Sequence, residues 1–178
     1  ITARPITVTA NSGQGQVYGQ GDPASLGWSI TAGSLVSGDS LTGALIRNPG
    51  EHAGSYQITQ GSLGNSNYAI TYVAANCVIT PRALTVTADA GQGKIYGNAD
   101  PSLTWQITSG RLLSGDALSG SLSRVSGSNV GDYAITRGTL GNSDYAVTFV
   151  SSVFHIAPRP LTVTVTPGQN KTYAQSDP

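Results

Sequence analysis

Two histidines, two tryptophans, one cysteine and a recurring set of aspartates are the residues of this 178-residue chain whose types could do chemistry. An imidazole titrates near neutral pH and is the usual general base or metal ligand, so His52 and His155 come first. When the chain is compared with itself, His52 falls on Asn129 and His155 on Val78. A repeated active site would repeat its residues, so His52 reads as a solvated loop histidine and His155 as a strand histidine. No Ser-His-Asp constellation can be assembled around either. Asp22, Asp100 and Asp177 recur, as do Asp39 and Asp116. Recurrent acids could bind Ca²⁺, which takes six to eight oxygen ligands. Each copy supplies only two, far apart in sequence, and GDSLTG lacks the dense Gly-Asp spacing of a calcium β-roll. These aspartates therefore read as turn residues that bond nearby backbone N–H groups.

Trp28 and Trp105 also recur. An exposed Trp can stack on a sugar, which makes this pair the candidate ligand-binding residues. Both lie inside alternating runs, LGWSIT and LTWQIT, where a Trp ring is more often core; mostly buried rings are expected. Cys77 has no partner for an internal disulfide, and metal-ligand spacing is absent. Its counterpart is Phe154, so it reads as a small buried apolar side chain. The GQG before VYG lies between strands, not before a helix, and so is not a phosphate-binding loop. An intramolecular Lys–Asn crosslink would need a recurring Lys, but Lys94 aligns with Gln16. No catalytic residue, metal or cofactor is expected.

The elements that carry these residues come in copies. VYGQGDP (Val17–Pro23) returns as IYGNADP (Ile95–Pro101) and as TYAQSDP (Thr172–Pro178). Arg4, Arg82 and Arg159 open RPITVTA, RALTVTA and RPLTVTV, 78 and then 77 residues apart. GDSLTG matches GDALSG, GSYQIT matches GDYAIT, and GSLGNSNYAITYV matches GTLGNSDYAVTFV. Such self-similarity at a fixed period marks a repeat architecture. The chain divides into repeat 1 (1–81), repeat 2 (82–158) and the opening of a third (159–178). Within a copy, apolar and polar residues alternate with period two, the sign of a half-buried strand. In NYAITYV, Tyr68, Ile70 and Tyr72 share a face; in LTVTVT, Leu161, Val163 and Val165 do. Gly, Asn, Asp and Ser cluster between these runs, as turns require. The first copy is predicted to hold strands near Ile6–Ala10, Gln16–Tyr18, Leu26–Thr31, Ser40–Ile46, Ser55–Gln60, Tyr68–Val73 and Cys77–Thr80. No segment has helical periodicity. The predicted fold is all-β, as tandem, small, sandwich-like (Ig-like) repeats in an elongated array. A β-grasp-like unit is the alternative if SLVSGDSL forms a helical turn.

Composition excludes several functions. Nine Lys plus Arg balance nine Asp plus Glu, whereas nucleic acid needs clustered cations and anionic lipid attracts basic segments. Only 10% of residues are charged, against about 25% on average, so solubility rests on neutral polar groups. The apolar runs are too short for a transmembrane helix, and no signal peptide is visible. With no Met, the chain is expected to be a piece of something longer.

Taken together, the pattern RxLTVTAD, IYGxxDPxLT, GDxLxGxLxR, GxYxIxxGTLG, NYxITFV and FxIxPR resembles the MBG repeat of the Tyr-Gly-X type, over essentially the whole chain. The first copy departs from it at Gln16 and Cys77. The resemblance implies a non-enzymatic, extracellular part of a large exported bacterial surface protein, such as a filamentous-haemagglutinin-like adhesin. It implies no known ligand. The expected partners are neighbouring repeats of the same chain, with a host or matrix glycan or protein as the alternative. Few cysteines suit export in an unfolded state, and in such arrays each repeat contacts only its neighbours.

CVIT runs through Pro81-Arg82 into ALTVTA, and FHIA runs through Pro158-Arg159 into PLTVTV. Pro fixes φ and no Gly/Ser spacer intervenes, so consecutive units are expected to form a stiff rod. A lone hairpin is marginal in water. The third-copy strands are therefore expected to pack against repeat 2, so that their removal lowers the melting temperature.

Overall fold

The computed structural model describes residues 1–168 and 170–177. Repeat 1 opens with β1 (Arg4–Ala10), the centre of a three-stranded sheet. β3 (Trp28–Ala32) pairs antiparallel on one side of it and β6 (Tyr68–Val73) parallel on the other. The second sheet has the order β2 (Gln14–Val17), β7 (Asn76–Thr80), β5 (Gly54–Thr59) and β4 (Ile46–Arg47). Alternation does what the pattern predicts: Ile6, Val8 and Ala10 are buried while their neighbours are not, and Tyr68, Ile70 and Tyr72 share the inner face. The two sheets meet on one core of Ile6, Val8, Ala10, Leu45, Ile58, Leu63, Tyr68 and Cys77. Burying such side chains contributes roughly 1.5–3 kcal/mol each.

Repeat 2 copies this plan through β8 (Arg82–Ala88), β9 (Gln92–Ile95), β10 (Trp105–Ser109), β11 (Ser123–Arg124), β12 (Gly131–Thr136), β13 (Tyr145–Val150) and β14 (Val153–Ala157). Its sheets are β10-β8-β13 and β11-β12-β14-β9. Phe154 stands where repeat 1 has Cys77, and both are fully buried. Glycine is obligatory where β2 runs beside β7 and β9 beside β14. A Cβ on Gly15 would lie 2.0 Å from the Val78 carbonyl oxygen, and one on Gly93 2.3 Å from that of His155.

The architecture is the expected all-β one, and among the described residues there is no helix. The β-grasp alternative is therefore set aside: SLVSGDSL makes one tight turn, closed by the Asp39 N–H donating to the Val36 carbonyl. The strand expected over Ser40–Ile46 is reduced to an isolated bridge at Thr42 and the two-residue β4. Gly43 breaks it, with φ 85° and its Cα facing the Ser62 carbonyl too closely for a side chain.

The third copy departs most from expectation. Every described residue from Pro158 on is exposed, and none lies in a strand. Leu161, Val163 and Val165 are more than 80% exposed, so the expected packing of third-copy strands against repeat 2 does not form, although Pro158–Leu161 line a shallow cleft with Tyr96, Asn129 and Val130. The reason is topological. β1 and β8 are centre strands that need a β6-type and a β3-type partner, and 159–178 contains neither. The TYAQSDP turn nonetheless keeps its local shape, with Ala174 at φ 67° where Gly19 and Gly97 have 78° and 86°. Gln169 and Pro178, the last residue of the third DP, lie outside the described residues.

Candidate functional site at the repeat junction

Most of the aspartates and histidines singled out for chemistry prove to be engaged by partners in other elements of the fold, while Asp177 pairs with the nearby Lys171 at 2.7 Å. Asp22 accepts from the Arg47 Nε at 2.8 Å and the Gln16 Nε2 at 2.6 Å. Asp100 accepts from Arg124 at 2.6 Å and pairs with the Lys94 Nζ at 2.6 Å. The arginines are the buried halves, with side chains 7% and 12% exposed. Arg124 also donates to the Val125 and Gly127 carbonyls and lies over the Tyr133 and Phe154 rings, 5.1 and 5.0 Å from their centroids. Cation–π contact of this kind adds to the pairing. The Asp-Pro motif is thus an ionic clamp on its own repeat.

Arg124 and Lys94 hold the Asp100 carboxyl at a pKa of about 2, and Arg47 and Gln16 hold that of Asp22 below its ordinary value. A carboxyl depressed in the folded state stabilises the fold above its unfolded pKa, about 3.9. That contribution is lost as pH falls through the folded value. Thermal stability should therefore drop steeply between about pH 4 and pH 2. Asp100→Asn should flatten this part of a melting-temperature profile; an unchanged slope would remove the clamp from the acid transition.

The two clamps are unequal. Gln16 Oε1 is buried with no hydrogen-bond partner among the described residues, at the place where repeat 2 has Lys94. An orphaned buried polar atom costs about 1–3 kcal/mol. Gln16→Lys should remove it, restore a second cation to Asp22 and raise the melting temperature of repeat 1. A calorimetric scan showing no gain would contradict this.

The second recurring pair does not cap backbone N–H groups as expected. Asp39 accepts from the Tyr68 hydroxyl at 2.6 Å, and Asp116 from that of Tyr145 at 2.5 Å. The same hydroxyls accept from the Val36 and Leu113 N–H groups. The side-chain-to-backbone turns are instead made by Asn65 and Asn142. Among the described residues, no three His, Cys, Asp or Glu side chains gather as a metal site.

Trp28 and Trp105 end half-buried at the start of β3 and β10, packed against the two cores. They are less enclosed than expected, because β3 and β10 are edge strands. Cys77 is buried as expected, and burial pushes its thiol pKa up. His155 lies directly across from Asp132 on the exposed face of β14, its Nδ1 2.6 Å from the carboxylate.

His52 is the exposed loop residue that the sequence predicts, its side chain 79% exposed, but its partner was not foreseen. Its Nδ1 lies 2.7 Å from Asp144 Oδ2, in the other repeat. The neighbouring Ala53 N–H donates to Asp144 Oδ1 at 2.7 Å. Asp144 is 5% exposed. Burial pushes its carboxyl up, but the Ala53 N–H and His52 outweigh this and hold it below its ordinary value. Asp144 in turn raises the His52 pKa, through the hydrogen bond and then its charge. The Tyr18 ring stacks on His52, meets the Tyr145 ring edge-on at 5.6 Å, and its hydroxyl donates to Asp116 at 3.3 Å. Gly19 lies against Leu113, where a Cβ would come within 2.2 Å of Cδ1. Arg82 Nη1 donates to the Tyr18 carbonyl at 3.4 Å. Only Pro81 separates β7 from β8 beneath these contacts.

The Tyr-Gly turn of repeat 1 is therefore a plug seated in a socket on repeat 2. Binding is mechanical in kind: aromatic edges, one buried carboxylate and a glycine admitted for want of a side chain.

The family model that matches is described as the MBG domain (YGX type), at residues 6–78 and 84–155, well over half of the chain. No curated protein and no solved structure matches.

Proposed function

We propose, for a chain that belongs to the MBG domain (YGX type) family, that it serves as a non-enzymatic stalk or spacer segment of a large secreted bacterial surface adhesin. The observation that carries this reading is the junction: one proline between strands, flanked by a plug and socket that fix the neighbouring units. A spacer must resist bending, and both features do that. The engagement of the recurring Asp, Arg and Tyr side chains in internal bonds supports a structural role over a catalytic one. The location this implies is the bacterial cell surface. Solution scattering tests it. A single sharp maximum dimension, shortened or blurred by Tyr18→Ala, supports the spacer. A broad, bead-like ensemble for the unaltered chain would overturn it.

A second reading, that the repeats themselves bind a host or matrix glycan or protein, is favoured by one observation. Trp28 and Trp105 keep part of their rings exposed at equivalent places. A glycan and matrix-protein screen separates the two. Saturable binding lost in the Trp28→Ala, Trp105→Ala double variant, with folding intact by circular dichroism, favours the binding module.

A further inference from the structure

Asp144 holds a carboxylate at the joint between the repeats, with only 8% of its side chain exposed. One oxygen lies 2.7 Å from the His52 Nδ1, and the other accepts from the Ala53 N–H at 2.7 Å. Both partners sit on the loop that leads into β5. Facing the imidazole are Asp144 and, farther off, Asp116 of repeat 2, with the Tyr18 ring stacked on it. From β5, the Tyr56 hydroxyl donates to the His52 carbonyl. Behind Tyr18, the Tyr145 hydroxyl donates to Asp116, while Arg82 donates to the Tyr18 carbonyl. Glu51, next in the chain, is held by Arg47. Among the described residues, His52 is thus the one cation bonded to the buried carboxylate. Burial, and then Asp116, push the Tyr18 and Tyr145 hydroxyls above their ordinary value, so both stay neutral where an imidazole titrates.

We propose that this joint is a pH-sensitive hinge, clamped while His52 is protonated and freer to open once it is not. A protonated imidazole balances the buried charge. A neutral one leaves it with hydrogen bonds alone, and a buried charge without a counter-ion is costly. Opening the hinge returns Asp144 to water and removes that cost. Linkage fixes the sign. Asp144 raises the His52 pKa. A histidine raised above about 6.5 contributes its full stabilisation below that pH and loses it as pH rises through the raised value. Asp144, held below its ordinary value, keeps its charge throughout that range. Acidification through neutral pH therefore stiffens the chain at its middle. Within this chain the device is confined to one joint. The equivalent of His52 in repeat 2 is Asn129, and that of Asp144 in repeat 1 is Asn67, neither of which titrates. The hinge goes beyond the spacer reading, and a joint equally rigid at every pH would overturn the hinge while leaving the spacer intact.

Amide hydrogen exchange of the full chain tests it. The Ala53 N–H is the reporter, because it is freed when its loop leaves Asp144. Its protection, corrected for the intrinsic rise of exchange with pH, should fall roughly two- to fivefold between about pH 5.5 and pH 8.5, the scale of an ion pair with one exposed partner. The fall should track the His52 imidazole titration followed by NMR, with the second imidazole signal assigned through His155→Gln. Amides in the buried centre strands β1 and β8 should not follow it. Asp144→Asn keeps an acceptor for Ala53 and introduces the residue that repeat 1 carries as Asn67, so the fold should tolerate it. In that variant the His52 midpoint should drop to about 6.5, and the pH dependence of Ala53 protection should vanish. Ala53 protection that ignores pH overturns the proposal. So does a fall that persists in Asp144→Asn, or a His52 midpoint that this substitution leaves unmoved.

Discussion

Phe154→Ala should cost roughly 3–5 kcal/mol, the range for truncating a buried aromatic ring, and lower the melting temperature of repeat 2 far more than that of repeat 1. The ring is fully buried among Leu84, Val86, Ile135, Leu140 and Ile156 and also lies beneath the Arg124 guanidinium. A domain of this size has only about 5–15 kcal/mol in all. Each kcal/mol shifts the melting temperature by roughly 4–8 °C, so the transition should move by tens of degrees. Phe154→Cys, which installs the residue that repeat 1 tolerates at Cys77, should also destabilise, because the second core is built to the volume of a ring. Differential scanning calorimetry reads both. A shift of only a few degrees for Phe154→Ala would mean that the ring does not anchor this core.

Arg124→Ala should be the next most damaging change, at about 2–3 kcal/mol, the scale of hydrogen bonds to a charged group. The substitution strips Asp100 of one cation, frees the Val125 and Gly127 carbonyls, and uncovers two rings. Lys94 remains beside Asp100, and that carboxylate is partly exposed. The loss therefore stays below the 3–5 kcal/mol of a fully buried, broken pair. Arg124→Lys should recover little, since one ammonium cannot serve a carboxylate and two carbonyls in the planar fork that a guanidinium offers. Chemical denaturation of the two variants checks this. Full recovery by Lys would reduce the interaction to charge alone.

Much of this was legible in the sequence because it is local. Alternation assigned Ile6, Val8 and Ala10 to the core and Tyr68, Ile70 and Tyr72 to one face. The copy-to-copy comparison placed Cys77 where Phe154 is buried. What stayed hidden was pairing across distance. Asp22 and Arg47 both recur, yet nothing periodic ties an aspartate to an arginine in a different loop. The Asp39–Tyr68 bond was hidden in the same way.

His52 was placed correctly as an exposed loop residue, but its pairing was missed for a more instructive reason. Demanding that a functional residue recur in every copy discards residues that act between copies, and the His52–Asp144 pair belongs to a boundary. The opposite error befell Leu161, Val163 and Val165. Their alternation is as regular as that of β1 and β8, but a centre strand without flanking strands has nowhere to bury its apolar face.

The pairing of the first and last strands has a mechanical consequence. The chain enters repeat 1 through β1, bonded along its length to the parallel β6, and leaves through β7, bonded to the parallel β2. Tension on the chain therefore pulls each of these ladders lengthwise. Their bonds are loaded in shear and share the force, whereas a hairpin pulled from its open end unzips one bond at a time. Forced unfolding is governed by the height of the unfolding barrier rather than by equilibrium stability. A repeat of modest thermal stability can thus hold under load, provided the load arrives along the strands.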